Sequence, residues 1–428
     1  MNRRHFFKTL GLTSVAASLP ASFNLFAAPA DYTGKFLITI QAEGGWDVTS
    51  FCDPKINTSD IFINNWASNG EPGEAGNLHY AAFANNQWFF DKYYQDMLVI
   101  NGVDAQTNSH TAGVVHNWSG RLSDGFPSLT ALFAAQYGSS LPVAYISNGG
   151  YSATGGLTRY TQLDNIQALN NVIYPNRARW GDNNYLHDND WARIEALKNQ
   201  RLAELQQAEE LTTLQQRSRD NFAAAVENGS ILSQFSAALE NVGDLQEPVN
   251  DGNFLWSSLS RQAQVATLAM GSGVCVSADL IMGGYDTHEN HDAQHDWLFT
   301  ELARSIDFLW TYAEQQGIAD RLVVMVGSDF GRTPHYNDGE GKDHWPISSY
   351  IVMEKGAAYT NRTVGMTDEG HNVIPINPTN WQSDEQSGSI IHPAHVMTEL
   401  REYLGLDALA LQNNFLLSAD TRFGFFDS

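Results

Sequence analysis

An α/β fold, a mostly parallel sheet flanked by helices, is predicted by two features of this 428-residue sequence. Short apolar runs rich in β-branched residues recur along the chain, and helix-like segments separate them. Strands buried on both faces need such runs, and parallel strands need a crossover between them. The runs fall at 35–41, 97–101, 141–147, 274–282, 322–327 and 350–353. The first opens into Glu43-Gly44-Gly45-Trp46-Asp47, which reads as a buried strand followed by a glycine turn. Ser128 to Tyr137 and His295 to Gln316 read as helices between strands. In such sheets ligands bind beyond the carboxyl ends of the strands, so polar residues there carry the most weight.

From Asp190 to about Leu239 the pattern changes. Trp191, Ile194, Leu197, Leu202, Leu205, Ala208 and Leu211 recur at spacings of three and four among Glu, Lys, Gln and Arg. That predicts a long amphipathic helix or helical hairpin, an insertion at 190–240 within one domain spanning 31–428. The stretch from Tyr151 to Asn189 has little periodicity and reads as a surface excursion.

Residues 1–30 read as a removable twin-arginine export signal. Asn2-Arg3-Arg4-His5-Phe6-Phe7-Lys8 is followed by an uncharged stretch from Thr9 to Ala27 and a small-residue site, Ala28-Pro29-Ala30. These are the positive, apolar and cleavage parts of such a signal. Thr13, Ser14, Ser18, Pro20, Ser22 and Asn24 make the apolar part a poor bilayer span. The expected location is periplasmic or extracellular. The twin-arginine translocase is the expected export partner, and no stable membrane insertion is expected after cleavage.

Charge narrows the partners further. With 48 acidic against 24 basic side chains, the chain carries a formal charge of −24. A surface that negative repels nucleic acid, and an anionic substrate would need a local cation. Cys52 and Cys275 are the only cysteines. They could bridge or stay as two buried thiols, and sequence spacing does not choose.

Three predicted strand ends finish in carboxylates among glycines: Asp47, then Gly283-Gly284-Tyr285-Asp286-Thr287-His288, then Gly327-Ser328-Asp329-Phe330-Gly331-Arg332-Thr333-Pro334. Gly341-Lys342-Asp343-His344-Trp345-Pro346 follows. Carboxylates and imidazoles delivered to one face suit a divalent cation such as zinc, manganese or calcium. Singly, each has a plainer role as a helix cap or a turn residue.

The leader together with Gly-Tyr-Asp-Thr-His, Ser-Asp-Phe-Gly-Arg-Thr-Pro and Gly-Lys-Asp-His-Trp-Pro resembles the exported family known as domain of unknown function 1501. That family is similar to the alkaline phosphatase and sulfatase superfamily, which implies an alkaline phosphatase-like sheet. The resemblance implies metal ligands at Asp47, Asp286, His288, Asp329 and His344. His291 competes with His288, because the superfamily spaces its Asp-His pair by four. Phe330 stands where the superfamily has a histidine beside Asp329. The superfamily nucleophile, at a helix start after the first crossover, would be Ser109 or Thr111, and Arg332 and Lys342 would hold substrate oxygens.

The activity implied is metal-dependent hydrolysis of phosphate or sulfate esters, on a small molecule or a polysaccharide. The competing reading, favoured by Phe330, is an inactive exported binding or assembly protein on the same fold.

Overall fold

The computed structural model describes residues 32–162, 174–178, 183–208, 210–227, 232, 235, 259–417 and 419–427. The leader and the end of the helical region, 236–240, lie outside them.

The strands, in chain order, are β1 (Phe36–Ala42), β2 (Gly73–Ala75), β3 (Leu78–Tyr80), β4 (Met97–Asp104), β5 (Tyr145–Ser147) and β6 (Tyr160–Thr161). They continue with β7 (Ser277–Met282), β8 (Leu322–Ser328), β9 (Gly331–Arg332), β10 (His344–Trp345), β11 (Ile347–Glu354) and β12 (Arg362–Val364). Eight of them form the central sheet in the order β12-β4-β11-β8-β1-β7-β5-β6. Every neighbouring pair is parallel except the two made by β11, which runs against β4 and β8. The mostly parallel sheet expected from the sequence is therefore present, with one reversed strand.

That reversal matters for the site. β1, β4, β7 and β8 run the same way, so the residues that follow their last positions emerge at one edge. β11 starts at that edge, so His344, just ahead of it, arrives there too.

The helices are α1 (Asn86–Tyr93), α2 (His110–Ser119), α3 (Leu129–Tyr137), α4 (Asp188–Gln206), α5 (Thr213–Glu227), α6 (Leu259–Gly271), α7 (His291–Gln315), α8 (Pro393–Tyr403) and α9 (Asp407–Gln412). α6 packs on α7 and β7, α3 on β1 and β7, and α2 on β8 and α8. All seven residues of β1 and all seven of β8 are buried, as central parallel strands covered by helices must be. α4 and α5 pack on each other within the stretch read as a helical insertion. α4 carries a single buried residue, Leu202. None of the described helices is long and apolar enough to cross a membrane. Cys52 and Cys275 are free, buried thiols, and burial pushes both well above the ordinary thiol range.

One buried carboxylate sits inside the sheet. Asp279 on β7 accepts from Thr39 at 2.7 Å and from the Tyr145 hydroxyl. Burial, partly offset by those donors, raises its carboxyl to about 6. Between pH 4 and 6 the folded chain then holds a proton that the unfolded chain has lost, so this group costs stability as pH rises through that window. Asp279→Asn should accordingly be stabilising relative to the parent at neutral pH by up to ~3 kcal/mol, with the difference shrinking towards pH 4. Urea unfolding of both proteins across that range checks this, and a pH-independent difference would refute it.

Candidate metal centre

Three imidazoles converge on Asp286. His110 opens α2, beyond the end of β4; Asp286 lies beyond the end of β7, and His344 lies on β10, just ahead of β11. Among the described residues, His110, Asp286 and His344 form a group whose candidate ligand atoms all lie within 4.8 Å of one another. His288 stands beside it, with Nε2 at 3.0 Å from Asp286 Oδ1 and 3.1 Å from His344 Nε2. His344 Nε2 is 3.2 Å from Asp286 Oδ1, and His110 Nε2 is 3.5 Å from Asp286 Oδ2.

The other nitrogen of each ring is tied down. His110 Nδ1 meets Asp329 Oδ2 at 2.7 Å, His288 Nδ1 meets Asp343 Oδ1 at 2.7 Å, and His344 Nδ1 meets the Asn108 carbonyl at 2.9 Å. A carbonyl or an ionised carboxylate only accepts, so each Nδ1 carries the proton and each Nε2 presents a lone pair. Two such lone pairs 3.1 Å apart, facing a carboxylate, repel unless a cation or an added proton lies between them. Outer partners of this kind set the tautomer and orientation of metal-binding histidines. The residues present therefore fit a divalent ion bound by His110, Asp286 and His344, with His288 at its flank.

Asp329 acts behind this group. Its carboxylate is buried and also accepts from the Gln41 amide and from Gly44 N–H at 3.3 Å. Its bond to His110 raises the basicity of that ring, more than burial lowers it. Asp286 is pulled the other way. Burial would push it up, but the Arg332 guanidinium, 2.7 Å from Oδ1, and the neighbouring imidazoles hold it down to about 2. The turn after β1 leans directly on this loop. Gly44 has φ +119°, and a Cβ there would stand 2.4 Å from the Asp286 nitrogen, which is why glycine occupies the position.

Phe330 is buried, with ring centroids 4.9 Å from His110 and 4.6 Å from His344. It supplies an apolar wall for both imidazoles.

Asp47 does not join the group around Asp286, although the sequence placed it in the ligand set. It is fully buried, and its Oδ2 accepts from Lys342 Nζ at 2.7 Å and faces His291 Nε2 at 3.0 Å. Thr49 and Ser50 donate to the same carboxylate. Lys342 also reaches Asn64 Oδ1 at 2.8 Å. Burial disfavours the Asp47 anion, yet Lys342 and His291 outweigh it and hold the carboxyl well below its ordinary range. Burial keeps His291 and His295 below the ordinary imidazole value. His291 thus serves Asp47, and His288 is the imidazole that reaches Asp286.

Arg332 and Lys342, read as substrate contacts, are both wholly buried. Arg332 donates to the carbonyls of Gly44, Gly45 and Lys342 and to Asp286. Neither cation is free to meet a substrate.

A cleft of about 590 Å³ adjoins the group, bordered by Glu43, His110, Thr111, Asp124, Asp286 and Asp329 among others. Thr111, in the first turn of α2, thus faces the cleft. Ser109 is the exposed N-cap of α2 and makes no side-chain cap bond. Of the residues in the centre, His110 is the one absent from the ligand set expected from the sequence. Its place at a helix start beyond a strand end was the signal that could have raised it.

A profile of the family "Protein of unknown function (DUF1501)" matches residues 35–383. The chain belongs to this family. No curated protein matches it. Among solved structures, this DUF1501 member is similar to Ps i-CgsB in complex with k-i-k-neocarrahexaose, at 8% identity and TM-score 0.41, over 92% of this chain and 75% of that one. It is similar to the lipoteichoic acid synthase LtaP from Listeria monocytogenes at 11% identity and TM-score 0.36, over 95% and 77%. It is also similar to alkaline phosphatase from the Antarctic bacterium TAB5 at 11% identity and TM-score 0.33, over 78% and 95%.

Proposed function

We propose that the chain is an exported, metal-dependent hydrolase of phosphate or sulfate esters. The observation that carries this reading is the convergence of three Nε2 lone pairs on the Asp286 carboxylate at the edge of a cleft. A divalent ion bound there would supply Lewis-acid stabilisation of the ester oxygens and would lower the pKa of an attacking hydroxyl or water.

The chain's own residues do the positioning. Asp329, Asp343 and the Asn108 carbonyl hold the three rings in one tautomer. Arg332 keeps Asp286 ionised and fixed. Thr111 borders the cleft at the start of α2, where unsatisfied N–H groups favour an anion, and its hydroxyl is the candidate nucleophile beside water. The leader at 1–30 would export the protein folded, with its ion already loaded.

Elemental analysis of the mature protein after dialysis against zinc, manganese or calcium, paired with aryl phosphate and aryl sulfate assays, tests the reading. A stoichiometric ion with turnover supports it. An ion without turnover of any ester would favour the binding-protein alternative, and no ion would refute the centre itself.

A further inference from the structure

Resting on the hydrolase reading, we infer that the cleft selects singly charged tetrahedral esters, meaning phosphodiesters or sulfate monoesters, over doubly charged phosphate monoesters. The argument is one of charge. Lys342 is wholly buried against Asp47, and Arg332 is wholly buried against Asp286 and three carbonyls. Both cations that the sequence offered for substrate oxygens are thereby engaged inside the protein.

Among the described residues that line the cleft there is no lysine or arginine, while Glu43, Asp124, Asp286 and Asp329 all border it. Asp286 and Arg332 cancel. A divalent ion beside the Asp329 carboxylate then leaves one net positive charge at the ion itself, before the outer carboxylates Glu43 and Asp124 are counted, and one substrate anion balances it. A second substrate charge would have no partner, and Glu43 and Asp124 would repel it at short range, where screening by salt is weak. The Lys342 ammonium already neutralises Asp47, so among the described residues the His110–Asp286–His344 group is the ion site at the cleft.

Hydrolysis of either ester balances in the same way. The oxygen of water forms the new bond to phosphorus or sulfur, and the ester oxygen leaves with its bonding pair. The proton given up by water ends on that oxygen.

The test compares three para-nitrophenyl probes on the metal-loaded protein at mildly alkaline pH: the methyl phosphodiester, the sulfate and the phosphate monoester. At least one singly charged probe should exceed the monoester in kcat/KM by ~10-fold or more, and the faster of the two names the central atom. Exchanging both Glu43→Gln and Asp124→Asn, at exposed or half-exposed wall positions, should narrow that ratio. A monoester that is the fastest probe, or a ratio unmoved by the double exchange, would overturn the inference.

Calorimetric binding of dimethyl phosphate against methyl phosphate separates this from the hydrolase reading. Tighter dimethyl phosphate without turnover of any probe leaves charge selection standing and removes hydrolysis. Tighter methyl phosphate, or no binding of either, removes charge selection. Two bound metal equivalents per chain, one of them lost on Asp47→Asn, would also contradict it.

Discussion

Replacing Lys342 by methionine should lower the unfolding free energy by ~3–5 kcal/mol, the cost of leaving one member of a buried ion pair alone. The reason is the setting of Asp47. Its carboxylate has no exposure, and Lys342 Nζ at 2.7 Å is the cation that meets it. Methionine keeps most of the stem volume but removes the charge and the bonds to Asp47 and Asn64. The loss should be greatest at neutral pH. In the parent, Asp47 is held below its ordinary range, so its contribution is present above the unfolded value and fades as acid protonates it. The Lys342→Met deficit should therefore shrink as the pH falls through the carboxylate range. Adding Asp47→Asn should recover part of it, because the uncompensated charge is gone. Urea unfolding of the two single variants and the double variant measures the coupling. Additive losses would show that the two groups do not interact.

The second large effect concerns the ion. Asp286→Ala should abolish stoichiometric metal binding, since Asp286 is the only carboxylate in the His110–Asp286–His344 group. Asp329→Asn should weaken binding by ~10–100-fold without removing a ligand, because Asp329 fixes the His110 tautomer from behind. An amide there can turn its NH2 towards His110 Nδ1 and leave the proton on Nε2, the nitrogen the ion needs. Titration with zinc or manganese followed by elemental analysis separates the two cases. The ion should also stabilise the fold, by about 2.7 kcal/mol at a free concentration one hundred times Kd. That increment should vanish on chelation in the parent and be missing in Asp286→Ala. Equal metal affinity in the parent and in Asp329→Asn would refute the role given to Asp329.

The sheet was legible because its strands are central. β1 and β8 are covered on both faces, so most of their positions are apolar and the runs stand out, whereas Ser348, Ser349 and Glu354 left only the middle of β11 readable. Shorter strands were harder. The run at 141–147 yields a strand only at Tyr145–Ser147, and that at 274–282 only from Ser277; their leading residues bond one another, Val143 N–H to the Val274 carbonyl at 3.2 Å and Val276 N–H to the Ala144 carbonyl at 3.0 Å. α7 begins at His291, earlier than the apolar spacing marked, since its first turn is mostly polar, with His291 turned to Asp47.

At the site, the sequence showed which loops end in carboxylates and imidazoles, and a resemblance supplied their order. By itself it determined the repeated buried strands, the glycine turns that let loops approach one another and the acidic net charge. Only the tertiary structure decided which charge meets which. Asp47 and Lys342 lie 295 positions apart, and Asp329 and His110 lie 219 apart. A composition or a spacing cannot say whether a buried carboxylate will be neutralised by an ammonium or left to face imidazole lone pairs. That choice depends on distances of about 3 Å between loops, where the desolvation of a charge and its nearest partner outweigh everything local.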